Sequence, residues 1–499
     1  MNASPRIKLD ELLQGFVLSR VDKNPMITGL AVDSRIVKSG DLFFACRGVN
    51  VDGTQYIQRA IDAGAAAVVV DASSIDIANS DYAVPVCAVR NLSQKLGDIA
   101  SRYYGKPTEH LHVVGITGTN GKTSCSHILA QCLNELGICC GVIGTLGAGV
   151  WGRLSALQNT TPGAVELQKL FSELRNENAK VISMEVSSHG LEQHRVAGCH
   201  FDIAVFTNLS RDHLDYHGDM ATYGASKLKL FTDYAVQKVV VNLDDDFASQ
   251  IINNLPNDVK VIGTALTANN PTSALSLLRG QIVKADRTGT VVKVECEQGW
   301  GEFRSSLLGD FNMSNLLNVL ATLLLLDVPL KKALNALESA KAPNGRLETF
   351  FNAQSPLVVV DYAHTPDALE KALITLKHHT KGQLLLLFGC GGDRDRGKRA
   401  EMGRAAKQHA DVVWITNDNP RTEDPSQIVR DILLGVADEE NVVVELDRAK
   451  AIKSIINAAS QDDVVLIAGK GHEDYQVIGM INYDFSDREI VAEIIGVAA

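Results

Sequence analysis

The chain has 499 residues, with 48 Lys or Arg against 59 Asp or Glu, a formal charge of −11. At ~150 residues per domain this length predicts about three domains, and the acidic balance excludes a protein that coats nucleic acid or an anionic membrane, since both demand a net basic surface. With 45 % hydrophobic residues and a mean hydropathy of +0.02, the composition is that of a folded globular protein, and disorder as the main state is excluded.

No stretch reaches the ~18 uninterrupted apolar residues of a spanning helix, so no integral membrane association is expected. Lys8, Asp10 and Glu11 stand where a secretory apolar core would have to be, which argues against export. Nine cysteines, an odd set without a CxxC pair, read as reduced thiols of a cytoplasmic protein.

The first 105 or so residues hold the runs DLFFACRG and AAAVVVD and end at the turn-rich YYGKPTE, reading as a mixed α and β domain. From Val113, β-branched runs (HVVGIT, KVISMEV, DIAVFT, KVVVNL) alternate with helical patterns after Lys122, Pro162 and Thr222. That alternation predicts βα units on a mostly parallel sheet, with Pro162 in the first turn of its helix. Residues 274–308 read as hairpin strands turning near Thr288 and Gly289. A second α/β series starts at Pro356 with five apolar strands: PLVVVDYA, QLLLLFGC, DVVWITND, NVVVEL and DVVLIAG. These predict a doubly wound C-terminal domain.

Chemistry concentrates where strands end. GITGTNGKTS, Gly115 to Ser124, follows a strand and opens a helix. Glycines let backbone N–H groups approach phosphate, the helix N-terminus adds a favourable dipole, Lys122 reaches the terminal phosphates and Thr123 can ligate Mg²⁺. The usual P-loop has its first glycine where Ile116 stands, so the loop is shifted by one residue. SMEVSSHGLEQHR, Ser183 to Arg195, places Glu185 at a strand end, where it either faces the loop and takes Mg²⁺ or caps a helix in solvent. TNLSRDHLDYHG, Thr207 to Gly218, is dense in Asp and His, fitting metal or phosphate chemistry as well as an exposed polar loop. Lys227 and Lys229 lie two apart on a helix; spacing alone makes Lys227 a solvent-facing residue. In the C-terminal domain DYAHTPDAL, FGCGGDRDRGKR, TNDNPRTEDP and AGKGHEDYQ each follow a strand and should gather at one sheet edge. Their Arg394, Asn419, Arg421 and Glu473 suit a ligand with both carboxylate and ammonium groups.

These segments, with DSR at Asp33–Arg35, NTTP at Asn159, GRLE at Gly345 and the shifted loop G-x-x-G-T-N-G-K-T, resemble the Mur ligases of peptidoglycan synthesis in the family's order and over essentially the whole chain. The resemblance implies an N-terminal UDP-binding domain at 1–108, a central ATP-binding domain at 109–342 and a Rossmann-like C-terminal amino-acid-binding domain at 343–499. It implies a cytoplasmic, monomeric ATP-dependent, ADP-forming acid–amino-acid ligase that proceeds through an acyl phosphate. Within the family, DNPR at Asp418–Arg421 resembles the stretch of members that add meso-2,6-diaminopimelate to the D-Glu γ-carboxylate of UDP-N-acetylmuramoyl-L-alanyl-D-glutamate.

Carried over, Val32, Ser34, Val49, Asn50 and Val51 would meet the uridine end, and Asn159, Thr160, Thr161, Ser187, Gln193 and Arg195 the muramoyl dipeptide. Gly118, Thr119, Asn120, Gly121, Lys122, Thr123 and Ser124 would hold the phosphates of ATP. Asn312 and Asn315 would contact adenine, with Arg346 and Asp361 at phosphate and ribose. Mg²⁺ would fall to Thr123, Glu185, His213 and Lys227, the last as a carbamate, which reverses the solvent-facing reading. Lys122, Lys227 and His213 would carry the catalysis. Arg394, Asp418, Asn419, Pro420, Arg421, Gly469 and Glu473 would form the diaminopimelate pocket. A folylpolyglutamate synthase-like ligase is the nearest alternative, lacking the uridine-binding domain and DNPR; a nucleotide-binding regulator without catalysis is the second.

Overall fold

The computed structural model describes residues 5–17, 23–48, 52–74, 81–267, 276–286, 289–436 and 440–497. Val49, Asn50 and Val51, expected at the uridine end, lie outside the described residues, as does the turn expected at Thr288. The chain forms two compact units: Met1–Leu277 with Ala321–Val328, and Leu278–Leu320 with Pro329–Ala499.

Among the described residues the first unit contains a two-stranded ribbon, Ile7–Lys8 with Met26–Ile27, and two larger sheets. A small parallel sheet has the order Gly29–Ala31, Asp41–Ala45, Ala67–Asp71, Val86–Val89, with every residue of Asp41–Ala45 buried. The larger sheet runs Lys260–Ala265, Lys238–Asn242, Ile203–Phe206, His112–Thr117, Val181–Glu185, Cys140–Gly144 and Gly147–Val150, parallel except for the last strand. All four apolar runs expected here are strands of it. The run Val113–Ile116 is buried on both faces, as a near-continuous β-branched strand flanked by helices requires. His112–Thr117 lies between Ile203–Phe206 and Val181–Glu185, in register Thr117↔Phe206 and Ile116↔Glu185. The chain therefore leaves the central strand in opposite directions, and the crevice past the strand ends is a topological switch point, where open α/β sheets bind ligands.

The three expected helices are Lys122–Glu135, Ala164–Asn176 and Met220–Thr232. Pro162 does not open the second from its first turn: extended Gly163 is the cap and the helix starts at Ala164. The preceding Thr161 is tied down, its hydroxyl donating to the Glu185 carbonyl at 2.9 Å and its own carbonyl accepting from Arg195, which keeps Pro162 in the extended approach. The third starts before Thr222 because the Asp219 side chain caps it, accepting from the Thr222 N–H at 2.8 Å.

In the second unit, Gly289–Cys296 pairs antiparallel with both Ser276–Asp286 and Gly299–Ser305, bearing out the hairpin reading and adding a third strand. The C-terminal sheet has the order Glu348–Phe350, Leu357–Asp361, Val464–Ala468, Leu384–Phe388, Val412–Ile415, Val442–Val444. The five expected strands are parallel, and Glu348–Phe350 joins them antiparallel.

Beneath its ligand edge lies a buried ion pair. Arg448 and Asp487 are both 0 % exposed and bond bidentately at 2.8 and 2.7 Å. Arg448 also donates to the carbonyls of Asn417 and Ala468, fixing the residues just before Asp418 and Gly469. Arg448→Met is expected to lower stability by about 3–5 kcal/mol, because Asp487 is left buried and unpaired; a urea midpoint equal to wild type would show that the pair carries no such weight.

Candidate active site

Gly121, at φ +85°, caps the helix that begins at Lys122, so Lys122, Thr123 and Ser124 are its first turn and their N–H groups face the loop. Gly118 has φ +150°, and a Cβ there would lie 1.9 Å from Thr207 Oγ1; only glycine fits. The segment after Phe206 docks onto the loop: Thr119 N–H donates to the Asn208 carbonyl, Asn120 N–H to Asn208 Oδ1, and Thr207 Oγ1 to the Asn120 carbonyl. Thr119 Oγ1 donates to the Ser210 carbonyl and lies 3.1 Å from the Tyr223 hydroxyl. The third chemical segment is thus structurally part of the phosphate loop. Lys122 Nζ donates to the carbonyls of Gly118 and Thr119, both at 2.7 Å.

Glu185 is fully buried. Thr123 Oγ1 donates to its Oε2 at 2.9 Å, and Thr145 donates through its N–H to Oε1 and through its hydroxyl to Oε2. A Cβ on Gly144 would fall 2.2 Å from Glu185 Oε1, so the carboxylate occupies space that only glycine leaves. A buried carboxylate joined to the P-loop threonine hydroxyl is a hard-oxygen donor pair of the kind Mg²⁺ takes, and the residues present fit that ion. Among the described residues no three His, Cys, Asp or Glu side chains gather as a complete metal cage; Mg²⁺ at phosphate sites keeps several waters and phosphate oxygens.

Lys227 is 1 % exposed. Its Nζ donates to the Gly118 carbonyl at 2.9 Å and sits 4.5 Å over the Tyr223 ring. Burial, with the Lys122 charge beside it, pushes its pKa well below the usual lysine range. Both lysines thus converge on one loop carbonyl. His213, at φ +52°, is 3.4 Å from Asp212 Oδ2 and packs edge-on against His189 at 5.0 Å. His189 also meets Tyr216 and His217. Burial and the neighbouring imidazoles hold His189 and His217 below the usual histidine range. Among the described residues no hydrogen bond joins His213 to the Thr123–Glu185 pair.

Arg195 donates to the Thr161 carbonyl at 2.9 Å and twice to Gln193 Oε1, while Ser187 N–H donates to Thr161 Oγ1. Thr160 Oγ1 lies 3.1 Å from Thr145 Oγ1. Thr160, Thr161, Ser187, Gln193 and Arg195 are therefore one network around Glu185; Asn159 is exposed beside it. Ser34 is buried, and Val32, 49 % exposed, is on the surface.

In the second unit, Asn312 donates to the Leu308 carbonyl and Asn315 Nδ2 lies 3.3 Å from Asn312 Oδ1. Asp361 accepts from the N–H groups of Leu347 and Ala363 at 2.7 and 2.8 Å, tying the GRLE loop to the strand end, and burial raises its carboxyl pKa. Arg346 lies 4.7 Å over the Tyr362 ring, and its buried Nε has no hydrogen-bond partner among the described residues.

The residues expected to form the diaminopimelate pocket lie on neighbouring loops of the C-terminal sheet. Asn419 Nδ2 donates to Glu473 Oε2 at 2.9 Å. Asp418 is buried, its carboxyl pKa raised chiefly by desolvation, with Gly469 alongside. Arg421, at φ +50°, donates from Nη1 to the Gly392 carbonyl at 2.8 Å. Pro420 is buried, and Arg394 is exposed on the neighbouring loop. Asp393 accepts from Thr422 and Arg396 pairs with Glu423 at 3.1 Å, so both hold the loop itself. The structure adds Gly144, Thr145, Asn208, Tyr223 and Lys470, which sequence reasoning missed. Gly144 and Thr145 belong to no local pattern and Tyr223 to a helical one; Asn208 and Lys470 stood inside the chemical segments without being singled out.

A phosphate loop at the switch point of a parallel sheet, with a buried carboxylate on its threonine, defines a P-loop α/β nucleotide-binding protein. Family models match residues 26–104 (Mur ligase family, catalytic domain), 116–323 (Mur ligase middle domain) and 345–471 (Mur ligase, glutamate ligase domain). The chain is 46 % identical over 464 residues to the UDP-N-acetylmuramoyl-L-alanyl-D-glutamate–2,6-diaminopimelate ligase of Coxiella burnetii, covering 93 % of this chain and 94 % of that one. It is 46 % identical over 471 residues to the protein of the same name from Ectopseudomonas mendocina, covering 94 % and 95 %. A solved structure of a UDP-N-acetylmuramoyl-L-alanyl-D-glutamate–2,6-diaminopimelate ligase is similar at a TM-score of 0.74 and 35 % identity, covering 98 % of this chain and 99 % of that one. The chain belongs to the Mur ligase family.

Proposed function

We propose that this chain joins an amine of meso-2,6-diaminopimelate to the D-Glu γ-carboxylate of UDP-N-acetylmuramoyl-L-alanyl-D-glutamate, converting ATP to ADP and phosphate, in peptidoglycan precursor synthesis. The observation that carries this reading is the pocket of Asp418, Asn419, Arg421 and Glu473, set in a chain 46 % identical to relatives of that name. A carboxylate is a poor electrophile. Transfer of the terminal phosphoryl group to its oxygen gives an acyl phosphate, and attack by the neutral amine on the acyl carbon then expels phosphate and releases a proton.

In this reading residues 1–108 bind the uridine end, 109–342 bind ATP and 343–499 bind the amino acid, and the protein is a cytoplasmic monomer. Lys122 and the first-turn N–H groups hold the phosphates; Thr123, Glu185, His213 and carbamylated Lys227 hold Mg²⁺, which when bound neutralises phosphate charge. Arg195, held by Gln193 and the Thr161 carbonyl, faces the anionic dipeptide. Arg421 and Arg394 take the carboxylate of the distal amino-acid centre.

The depressed pKa of Lys227 supports carbamylation, because only the neutral amine adds CO₂, losing one proton to become an anionic carbamate. Lys227→Ala is expected to lose most activity and to recover part of it with added short-chain carboxylic acids. An intact-mass search that finds only free amine in active wild-type enzyme would overturn the assignment.

Incubation with ATP, the UDP-dipeptide and diaminopimelate, followed by mass spectrometry with lysine run in parallel, tests the whole reading. The expected result is an amide product with diaminopimelate and little with lysine. ATP binding without product would leave a nucleotide-binding regulator, and glutamate addition to a folate would leave the folylpolyglutamate synthase-like alternative.

A further inference from the structure

We propose that Lys470, which has no exposure to solvent, is a positioning residue that fixes which way the Asn419 amide points and which oxygen of Glu473 is offered to the amine of the incoming amino acid. The inference rests on the amino-acid pocket proposed above and deepens it. Lys470 Nζ is 3.1 Å from Asn419 Oδ1, 3.1 Å from Glu473 Oε2 and 3.6 Å from Asp418 Oδ1, with the Tyr475 ring 5.5 Å away.

The two ends of an asparagine amide have nearly the same shape, so its orientation is set by its partners. Here Oδ1 accepts from Lys470 and from the Val477 N–H at 2.9 Å, which turns Nδ2 toward Glu473, where it donates to Oε2 at 2.9 Å. Glu473 thus receives both hydrogen bonds on one oxygen. Among the described residues none goes to Oε1, which remains to accept from a ligand ammonium.

The charges fit the same job. Asp418 and Glu473 are two acidic groups at one buried edge, and Lys470 cancels one of them. Arg448 lies close by but is committed to Asp487. The pocket floor keeps a single net negative charge for an ammonium, and Arg421 with Arg394 meets the carboxylate. Without the Lys470 ammonium the amide oxygen keeps only the Val477 N–H, and Glu473, having lost its ammonium partner and repelled by Asp418 out of water, is no longer held against Nδ2.

Lys470→Met in the full chain keeps the volume and removes both charge and donor. The expected result is a KM for diaminopimelate raised roughly tenfold or more, while the KM for ATP stays within about twofold of wild type, a split that general loss of structure would not give. Lys470→Gln restores a donor without charge and is expected to recover part of the loss; it carries the same comparison should the Met variant not fold. A high-resolution crystal structure of the variant is expected to show Asn419 Nδ2 no longer donating to Glu473. An unchanged KM for diaminopimelate, or equal losses for both substrates, would overturn the proposal. Should wild-type enzyme form no amide product, the functional reading fails by itself. The Asn419 orientation in wild-type and variant crystals then still decides for or against Lys470.

Discussion

Lys122→Ala is expected to abolish measurable ligation, a loss of roughly a hundred- to thousandfold or more, the scale on which a preorganised charge on a reacting phosphoryl group acts. Lys122 opens the helix at the end of the phosphate loop, and in the proposed reaction it meets the charge moving onto the transferred group. Its ammonium donates to the loop carbonyls of Gly118 and Thr119, and the loop is separately anchored through Thr119, Asn120 and Thr207 to the 207–210 segment, so the variant should fold. A second effect follows through Lys227. The Lys122 charge helps depress the Lys227 pKa; removing it lets that pKa rise, leaves more ammonium at neutral pH and lowers the carbamate fraction seen by intact mass. The check is ADP release in purified variant, and near-normal turnover would remove the phosphate-loop assignment.

Arg421→Ala is expected to raise the KM for diaminopimelate by roughly ten- to more than a hundredfold, the ~1.5–3 kcal/mol of a charged hydrogen bond to a carboxylate shielded from water. ATP binding is expected hardly to move. The guanidinium is aimed before any ligand arrives, because Nη1 already donates to the Gly392 carbonyl; little rotamer entropy is left to lose on binding. The variant should also discriminate poorly between diaminopimelate and lysine. Steady-state kinetics with both diamino acids decide it, and equal losses in the amino-acid and ATP constants would argue against this role.

Much of the architecture could be read from the chain because parallel strands buried on both faces write themselves as short β-branched runs. The runs at His112–Thr117, Val181–Glu185 and Ile203–Phe206 are strands side by side, so the three segments that follow them meet. The phosphate loop was equally legible, since its glycines, lysine and threonine are neighbours in sequence. Lys227 was not. Two lysines two apart on a helix look alike in sequence, and only tertiary packing buries one against Tyr223 and Gly118 while Lys229 pairs with Glu192 at the surface. Thr145 and Gly144 escaped for a related reason: they belong to no motif and matter because the strand end at Cys140–Gly144 abuts Glu185. Pro162 stands two residues before the helix it is expected to open, because Thr161 is held by Glu185 and Arg195, contacts no local rule contains.

The left-handed turn at Arg421 has a further consequence. Its N–H donates to the Val477 carbonyl and its carbonyl accepts from the Gly479 N–H, so the loop is stitched to the hairpin Tyr475–Ile478 and Ile481–Asp484. A non-glycine residue at positive φ costs about 1 kcal/mol or more and persists only where its surroundings insist on it. The four letters Asp-Asn-Pro-Arg are therefore not a transplantable cassette. Grafted into another scaffold without the distant hairpin, the same tetrapeptide would relax and its arginine would point elsewhere, so the heritable unit of selectivity is the loop together with the ribbon that grips it.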